Sequence, residues 1–268
     1  MLTIQLLSSF VFGGLFIALQ TLIAERVPLK WRGVVITMPS TMSMGLLFIG
    51  LTKSPADVVE AAVMVPASEV AAYIYFTLFA VLILKYRLIP SLLIALLSWA
   101  LSAFLLLTFP PANFLMSILY MIPGTFITYL IIISLPQVHH LKVFPMNAKH
   151  ILTRSILGGT MITLSVILSK TLGNIWGGLF STFPATFTST MIIYYLLQGK
   201  QVIPSVGKSL FFPGLFGYMI YAYIVALTYP RFGIWLGTVL SYTAIAIFFV
   251  IWNLIAKHYA KPMSQVPE

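Results

Sequence analysis

The last long apolar stretch of the chain, residues 232–256, reads FGIWLGTVLSYTAIAIFFVIWNLIA and contains no charged side chain. About 20 mostly apolar residues are enough for a helix to cross the hydrocarbon core of a bilayer. The stretch therefore predicts a transmembrane helix, and the same pattern recurs throughout the chain.

The whole composition agrees with a membrane protein. Of 268 residues, 60% are hydrophobic and 7% are charged, and the mean hydropathy is +1.03. A soluble domain carries about 25% charged residues, so this composition excludes an ordinary soluble domain. The net charge of +10 is spread over basic residues that stand between apolar stretches. That spacing favours membrane anchors over a nucleic-acid surface.

Apolar stretches long enough to span occur nine times, separated by breaks that carry Pro, Gly, Asn or charge. We therefore predict an all-α, polytopic membrane helix bundle. No break is long enough for a catalytic domain, and no nucleotide loop or nucleophile motif is present, so we do not expect an enzyme. The nine predicted spans are Ile4–Ala24, Val34–Leu51, Ala67–Leu84, Leu88–Phe109, Phe114–Leu135, Ile151–Leu168, Ile175–Leu197, Leu210–Tyr229 and Phe232–Ala256.

Two of the breaks have helix-forming features of their own. Ser54-Pro55-Ala56-Asp57 resembles a helix start, with an early proline and an acidic residue in the first turn. The later counterpart is Pro204–Lys208. Each predicts either a short interfacial helix or an extension of the next spanning helix.

The distribution of Lys and Arg predicts the orientation. The N-terminus and the even-numbered loops hold only Lys53, Lys170 and Arg231, whereas the other side holds the remaining twelve, Arg154 among them. Positive charge collects on the cytoplasmic side. We expect a cell (plasma or inner) membrane protein with its N-terminus outside and its C-terminus in the cytoplasm.

The two halves of the chain resemble each other at an offset of 145 positions. Gly13-Gly14 matches Gly158-Gly159, Trp31 matches Trp176, Pro39 matches Pro184 and Tyr73 matches Tyr218. Five crossings separate the starts of the two copies, and an odd number inverts the second copy. Inverted repeats are common in secondary transporters. The predicted divisions are a first four-helix repeat (1–112), a linking helix and cytoplasmic loop (113–145), a second, inverted four-helix repeat (146–257) and a cytoplasmic tail (258–268).

Each half also resembles the GlpM family of small, roughly four-helix bacterial membrane proteins. The resemblance rests on Trp176–Pro184, Phe211-Phe212-Pro213, Tyr218 and the Gly233–Gly237 start of the last helix. It implies two fused copies in one chain, whereas a unit of that family's size would have to pair with another copy. The activity of the family is poorly defined, so the resemblance implies an architecture and no reaction.

The most polar intramembrane stretches surround the matched prolines Pro39 and Pro184. A proline frees a backbone carbonyl, and neighbouring hydroxyls can satisfy that carbonyl or face a ligand. Two such stretches brought together by the repeat would form a substrate path of discontinuous helices. The alternative is a pair of kinks whose hydroxyls bond locally and allow close packing. The candidate path residues are Thr37, Pro39, Ser40, Thr41, Thr182, Pro184, Thr186 and Thr188.

Glu69 is the most informative single residue. It lies within or near the start of the third predicted span, and its repeat partner is Gly214. An ionisable residue inside a membrane is a functional candidate by default. A buried Glu suits proton coupling, because surroundings of low dielectric constant favour its neutral form. The alternative is an interfacial Glu whose carboxylate reaches headgroup water.

The other polar residues suggest less. His139 and His140 are adjacent, so they do not share a helix face and make a poor metal pair; we expect no metal and no cofactor. We expect Asp57 and Glu60 to be solvated at the outer surface. Lys208 fits either a snorkelling side chain or a contact with an anionic headgroup.

Two functions fit the sequence. The first is a secondary transporter or flippase that moves a small or amphipathic solute by alternating access between the two halves. The second is a non-transporting scaffold or assembly factor for an envelope or polysaccharide system, and a channel is a third, less favoured reading. The expected partners are the lipid bilayer, a small-molecule or lipid-like substrate and a second copy of the chain, but no nucleic acid.

Overall fold

Apart from turns and loops, the computed structural model is helical throughout the residues that it describes, 2–27, 35–138 and 147–260. Residues 35–37 form a further helical turn before Pro39, and Lys200–Val202 form a 3₁₀ turn. The helices are α1 (Leu2–Arg26), α2 (Ser40–Thr52), α3 (Pro55–Lys85), α4 (Leu88–Thr108), α5 (Phe114–Ser134), α6 (Ala148–Thr171), α7 (Asn174–Ser181), α8 (Ala185–Gln198) and α9 (Ile203–Ala260).

Seven helical segments of the described chain are long and apolar enough to cross a membrane, against the nine that we predicted. One difference is at 175–197, which is divided into α7 and α8, each too short to count. The other is at 210–256, which counts as one segment because α9 is continuous there except at Gly233, whose non-helical backbone separates two helices. Gly233 has φ 77°, a conformation that glycine adopts without steric penalty. The long apolar helices make this a membrane protein.

The proline-containing stretches extend the spanning helices and do not form separate interfacial ones. Ser54 caps α3 by accepting a hydrogen bond from the Asp57 backbone N–H. The helix then continues through Pro66. The proline disturbs the helical ladder at this point, and the Ala67 N–H donates to the Ser117 hydroxyl of α5 at 2.8 Å.

The two matched prolines, Pro39 and Pro184, have the same unusual backbone conformation. Pro39 has φ −72° and ψ 74°, and Pro184 has φ −78° and ψ 52°. Directly after them, the Ser40 N–H donates to Met38 O at 2.8 Å and the Ala185 N–H donates to Phe183 O at 2.7 Å. Both are inverse γ-turns. The same tight turn therefore precedes α2 and α8 at positions 145 residues apart.

Helices α1 and α6, which are equivalent in the repeat, pack against each other in antiparallel directions. Lys170 near the end of α6 donates to Gln5 near the start of α1 at 2.6 Å, and Ser9 lies 3.1 Å from Thr163, hydroxyl to hydroxyl. Further along, Gly14 lies against Ser155. Residue numbers thus rise along one helix as they fall along the other.

Glycine allows this close contact. A Cβ on Gly158 would lie 1.9 Å from the Ile17 side chain, and one on Gly159 would lie 2.7 Å from Phe10 O. The matching contacts, Gly13 with Ile162 and Gly14 with Ser155, are also close, at 2.6 and 3.0 Å. The seam between the two helices is therefore built from pairs of equivalent contacts.

Helix α3 is the centre of the bundle and packs along α9, again antiparallel. Gly207 lies against Phe76, whereas Gly214, farther along α9, lies against the earlier residue Tyr73. Helices α4 and α5 pack on other faces of α3 and direct large apolar side chains outwards. Leu97 is 69% exposed, for example. In a membrane, these outer faces contact lipid.

We predict that Gly159→Leu destabilises the protein, because its side chain would have to displace the α1 backbone at Phe10. Overpacking of this kind typically lowers the free energy of unfolding by about 1–3 kcal/mol. The melting temperature of the detergent-solubilised protein measures the effect. Thr160→Leu, at the neighbouring exposed position, is the control and should leave the melting temperature within error. Equal melting temperatures for the two variants would contradict the close α1–α6 contact.

Candidate functional site

The turns at Pro39 and Pro184 each carry buried hydroxyls without a hydrogen-bond partner. Thr41 follows Pro39 by two residues and Thr186 follows Pro184 by two, so the two threonines are equivalent in the repeat. Both are buried, and neither hydroxyl has a partner within the described structure; the same holds for Ser40. An unpaired buried hydroxyl is unfavourable. The equivalent positions of Thr41 and Thr186 therefore point to a use other than packing.

Other residues of the predicted path do serve packing. Thr182 donates to Leu179 O at 2.7 Å and to the Ser68 hydroxyl of α3 at 2.9 Å. Thr188 bonds back to Pro184 O at 2.7 Å, and its hydroxyl lies 2.8 Å from the hydroxyl of Tyr75. These bonds satisfy the turn at Pro184 and tie it to α3.

Glu69 lies inside the bundle. It is the fifteenth residue of α3, is 1% exposed, and neither carboxyl oxygen has a hydrogen-bond partner. Tyr73 and Tyr218 interact with it electrostatically, and these tyrosines are equivalent in the repeat. The carboxyl group is therefore shielded from solvent by the surrounding helices.

The two proline turns are close to the same part of the core. The Ser68 hydroxyl, adjacent to Glu69, bonds Thr182 before Pro184. The Thr37 carbonyl, before Pro39, lies 3.7 Å from the Cβ position of Gly217, adjacent to Tyr218. The structure therefore places Thr182 beside α3, next to Glu69, and Thr37 beside α9, next to Tyr218.

This region is closed. The void beside Tyr73 and Phe187 has a volume of about 10 Å³, at the lower limit for one water molecule. Gly214, the repeat partner of Glu69, leaves no space, because a Cβ there would lie 3.0 Å from both the Tyr73 hydroxyl and the Phe187 ring. A solute could reach Glu69 only after the helices move.

A polar cluster joins the two halves at one end of the bundle. Asn174 at the start of α7 donates to Asp57 and Glu60 at 2.9 Å each, and it accepts from Lys53. Lys53 and Asp57 form an ion pair at 3.6 Å. Glu60 is exposed and Asp57 is partly exposed, and both take part in this contact between the copies.

Arg154 is the functional candidate that the sequence analysis missed. We counted it as an anchoring charge, but it lies within α6, is 2% exposed and donates to the Thr190 hydroxyl of α8. The signal was present, because Arg154 falls inside the predicted span Ile151–Leu168, where an ionisable residue is a functional candidate.

The remaining predicted residues contribute less. Lys208 is exposed, which fits a snorkelling side chain. His139 and His140 lie outside the described residues. Within the described ranges no three His, Asp or Glu residues form a group that could hold a metal ion.

A family model described as "Protein of unknown function (DUF3147)" matches the chain in two segments, residues 6–110 and 151–260. The chain belongs to the DUF3147 family. The two segments begin 145 positions apart, as the repeat does, and are consistent with two copies of an uncharacterised family unit. No curated protein and no solved structure matches the chain. The resemblance to the GlpM family is not shown by this match and stays a prediction.

We predict that replacing Glu69 with Leu leaves the melting temperature of the solubilised DUF3147 protein unchanged or raises it. The carboxyl group is desolvated and unpartnered, so its removal loses no hydrogen bond. Functional groups of this kind commonly reduce stability. Ser68→Ala is the matched control and should lower the melting temperature, because it removes the hydrogen bond to Thr182. A clear fall for Glu69→Leu would indicate a structural role.

Proposed function

We propose that this DUF3147 protein is a secondary transporter or flippase that works by alternating access between two inverted repeats. The observation that carries the proposal is Glu69, a buried and unpartnered carboxyl group where two proline-broken helices meet the core. Discontinuous helices near the middle of a membrane form the substrate and ion sites of many secondary transporters.

Contacts between the copies support the inverted arrangement. Equivalent helices α1 and α6 run antiparallel, as expected if one copy is upside-down relative to the other. Lys53 follows α2, the second helix of the first copy, and Asn174 follows α6, the first helix of the second. These two residues are hydrogen-bonded. Inverted copies would place the ends of a second and a first helix on the same membrane face, so this hydrogen bond supports the inverted arrangement.

The closed core fits an occluded state of a transporter. Thr41 and Thr186 are buried hydroxyls that a solute could bond once the halves separate. Glu69 would take up a proton when it is exposed to one side and release it on the other. Proton coupling would depend on the change in the surroundings of Glu69. Burial favours the neutral carboxyl group, whereas contact with water favours the charged carboxylate.

A lateral groove supports an amphipathic solute. A cavity of about 510 Å³ lies between α1, α2 and the C-terminal part of α9, and it is lined by Phe16, Ser43, Trp235 and Tyr242 among others. A second cavity of about 380 Å³ shares Phe16 and Tyr242 with the first and reaches Val35 and Met38. Both volumes are within the range of small-molecule sites, and the lining is mostly apolar.

The groove exists because the repeat is imperfect. At the equivalent contact between the copies, the Trp99 ring of the first copy packs on Phe180 and Phe183 of the second, with ring centroids 5.2 and 5.0 Å apart. The equivalents of these three residues in the repeat are Ala244, Val35 and Met38. The smaller side chains at Ala244 and Val35 thus leave open the space that Trp99 and Phe180 fill at the equivalent contact.

The closed core also favours the second candidate, a non-transporting scaffold or assembly factor, since no solute-sized cavity is described beside Glu69. The scaffold predicts one fixed conformation and stable crosslinking to one partner protein. It gives no reason for an unpartnered carboxyl group in the core. The transporter therefore accounts for more of the structure.

We predict that single cysteines at Ser40 and Thr186 react with a membrane-impermeant maleimide from both faces of the membrane, in right-side-out and in inside-out vesicles. The chain has no native cysteine, so each label reports one site. Glu69→Gln should change the ratio of outer to inner labelling several-fold at both positions, because it biases the equilibrium between the two states.

Leu97→Cys on the lipid-facing side of α4 is the control and should stay unlabelled. Absence of labelling at Ser40 and Thr186 from both faces would contradict the transporter and favour the scaffold. Labelling from both faces without any effect of Glu69→Gln would contradict the coupling role of Glu69.

A further inference from the structure

Arg154 is a buried cation whose hydrogen bonding is incomplete. A guanidinium group carries five N–H donors. Arg154 donates to Thr190, whereas its buried Nε–H has no partner in the described structure. Arg154 is the seventh residue of α6, roughly 9 Å along the helix from its start. An arginine side chain can reach water by snorkelling, but this one is held inside the protein.

Among the described residues, no carboxylate forms an ion pair with this guanidinium. The one ion pair among the described residues joins Lys53 and Asp57, at the other end of the bundle. Glu25 and Tyr194 act on Arg154 electrostatically. A buried charge without an ion-pair partner is strongly unfavourable, so the site has a positive charge that an incoming anion could neutralise.

Polar groups surround Arg154 on both helices that hold it. His150 lies four residues earlier on α6, on the same helix face, and its Nδ1 is buried without a partner. On α8, Thr190 accepts from Arg154 and donates to Thr186 O, and one turn away the Thr186 hydroxyl is unpartnered. Hydrogen-bond capacity is thus left over on α6 and on α8.

The site belongs to one copy only. The repeat equivalents of His150, Arg154 and Thr190 are Gln5, Ser9 and Gly45. None of these carries a positive charge, and Ser9 bonds Thr163 in the α1–α6 seam. The polar face between α6 and α8 is therefore a feature that the second copy alone provides, and the packing common to the two copies does not require it.

We propose that Arg154, with the Thr186 and Thr190 hydroxyls, forms an anion-binding site between α6 and α8 for a phosphate group, either free or on a lipid headgroup. Arginine is suited to this role because its planar fork pairs with phosphate oxygens. The anion would bond the free Nε–H and the Thr186 hydroxyl. Because the guanidinium is buried, the anion enters only when α6 and α8 separate.

That this anion is the transported solute rests on the proposed function, whereas the binding site does not. If the anion binds but the cysteines at positions 40 and 186 are labelled from one face only or not at all, the binding site is retained and the transporter is rejected. If both faces give labelling but the anion does not bind, the transporter is retained and the binding site is rejected. The two proposals can therefore fail independently.

The test is the melting temperature of the full chain in lipid nanodiscs. In one arm, phosphatidylcholine nanodiscs are titrated with inorganic phosphate against chloride at matched ionic strength. In the other, part of the phosphatidylcholine is replaced by phosphatidylglycerol without free phosphate. We expect stabilisation in at least one arm, and the arm identifies the source of the phosphate group.

Three variants assign the effect. Thr186→Val should keep the basal melting temperature, because its hydroxyl has no partner, and should weaken the apparent affinity about tenfold, as expected for one lost hydrogen bond to a charged group. Arg154→Gln should abolish the ligand-dependent shift. Lys149→Gln removes an exposed cation from the same helix and should bind as the unmodified protein does.

The proposal fails if neither arm shifts the melting temperature. It also fails if Lys149→Gln loses as much affinity as Arg154→Gln, since surface attraction would then explain the effect. If Arg154→Gln does not fold, Thr186→Val decides alone, and an unchanged affinity in that variant overturns the site.

Discussion

The constraint on which the structure depends is that hydrocarbon offers no hydrogen-bond partner to a peptide group. Each backbone N–H and C=O inside a bilayer must therefore be satisfied within the protein, which restricts this apolar chain to helices. The turns at Pro39 and Pro184 are the exceptions, and both are buried in the bundle. Their γ-turn bonds, and the hydroxyls of Ser68 and Thr182, satisfy part of what the broken helices leave unpaired. At these two turns, the irregular backbone is thus surrounded by other helices.

The two copies share their main packing contacts and differ in their ionisable residues. Paired glycines on α1 and α6 allow the equivalent helices to pack closely, and paired tyrosines lie near the centre. Glu69 is present in the first copy only, since its equivalent in the second copy is Gly214. Arg154 belongs to the other copy, where Ser9 is the equivalent. An acidic and a basic group therefore occupy different halves, and the lateral groove opens where Ala244 replaces the bulk of Trp99.

Much of this could be predicted from the sequence, because hydrophobic length and repeated residues are local signals. The all-α membrane class, most helix positions and the special nature of both proline stretches followed from them. The count of nine spans is not confirmed, since the break at Thr182-Phe183-Pro184 divides a helix without interrupting the apolar stretch. Which hydroxyls are paired could not be predicted either. Thr188 bonds Tyr75 and Thr186 has no partner among the described residues, although both follow the same proline. The burial of Arg154 depends on a contact with Thr190, 36 residues away, which helix-by-helix reasoning does not include.

The antiparallel packing of the equivalent helices α1 and α6 is the central claim, and disulfide crosslinking measures it directly. A disulfide requires Cβ atoms about 3.5–4.5 Å apart, and the native chain has no cysteine to interfere. In membranes, the pair Ser9→Cys and Thr163→Cys should crosslink under mild oxidation, because their hydroxyls lie 3.1 Å apart. The pair Ser9→Cys and Ser155→Cys should not, since Ser155 lies beside Gly14, farther along α1. The opposite pattern is what parallel helices would give, and it would contradict the account.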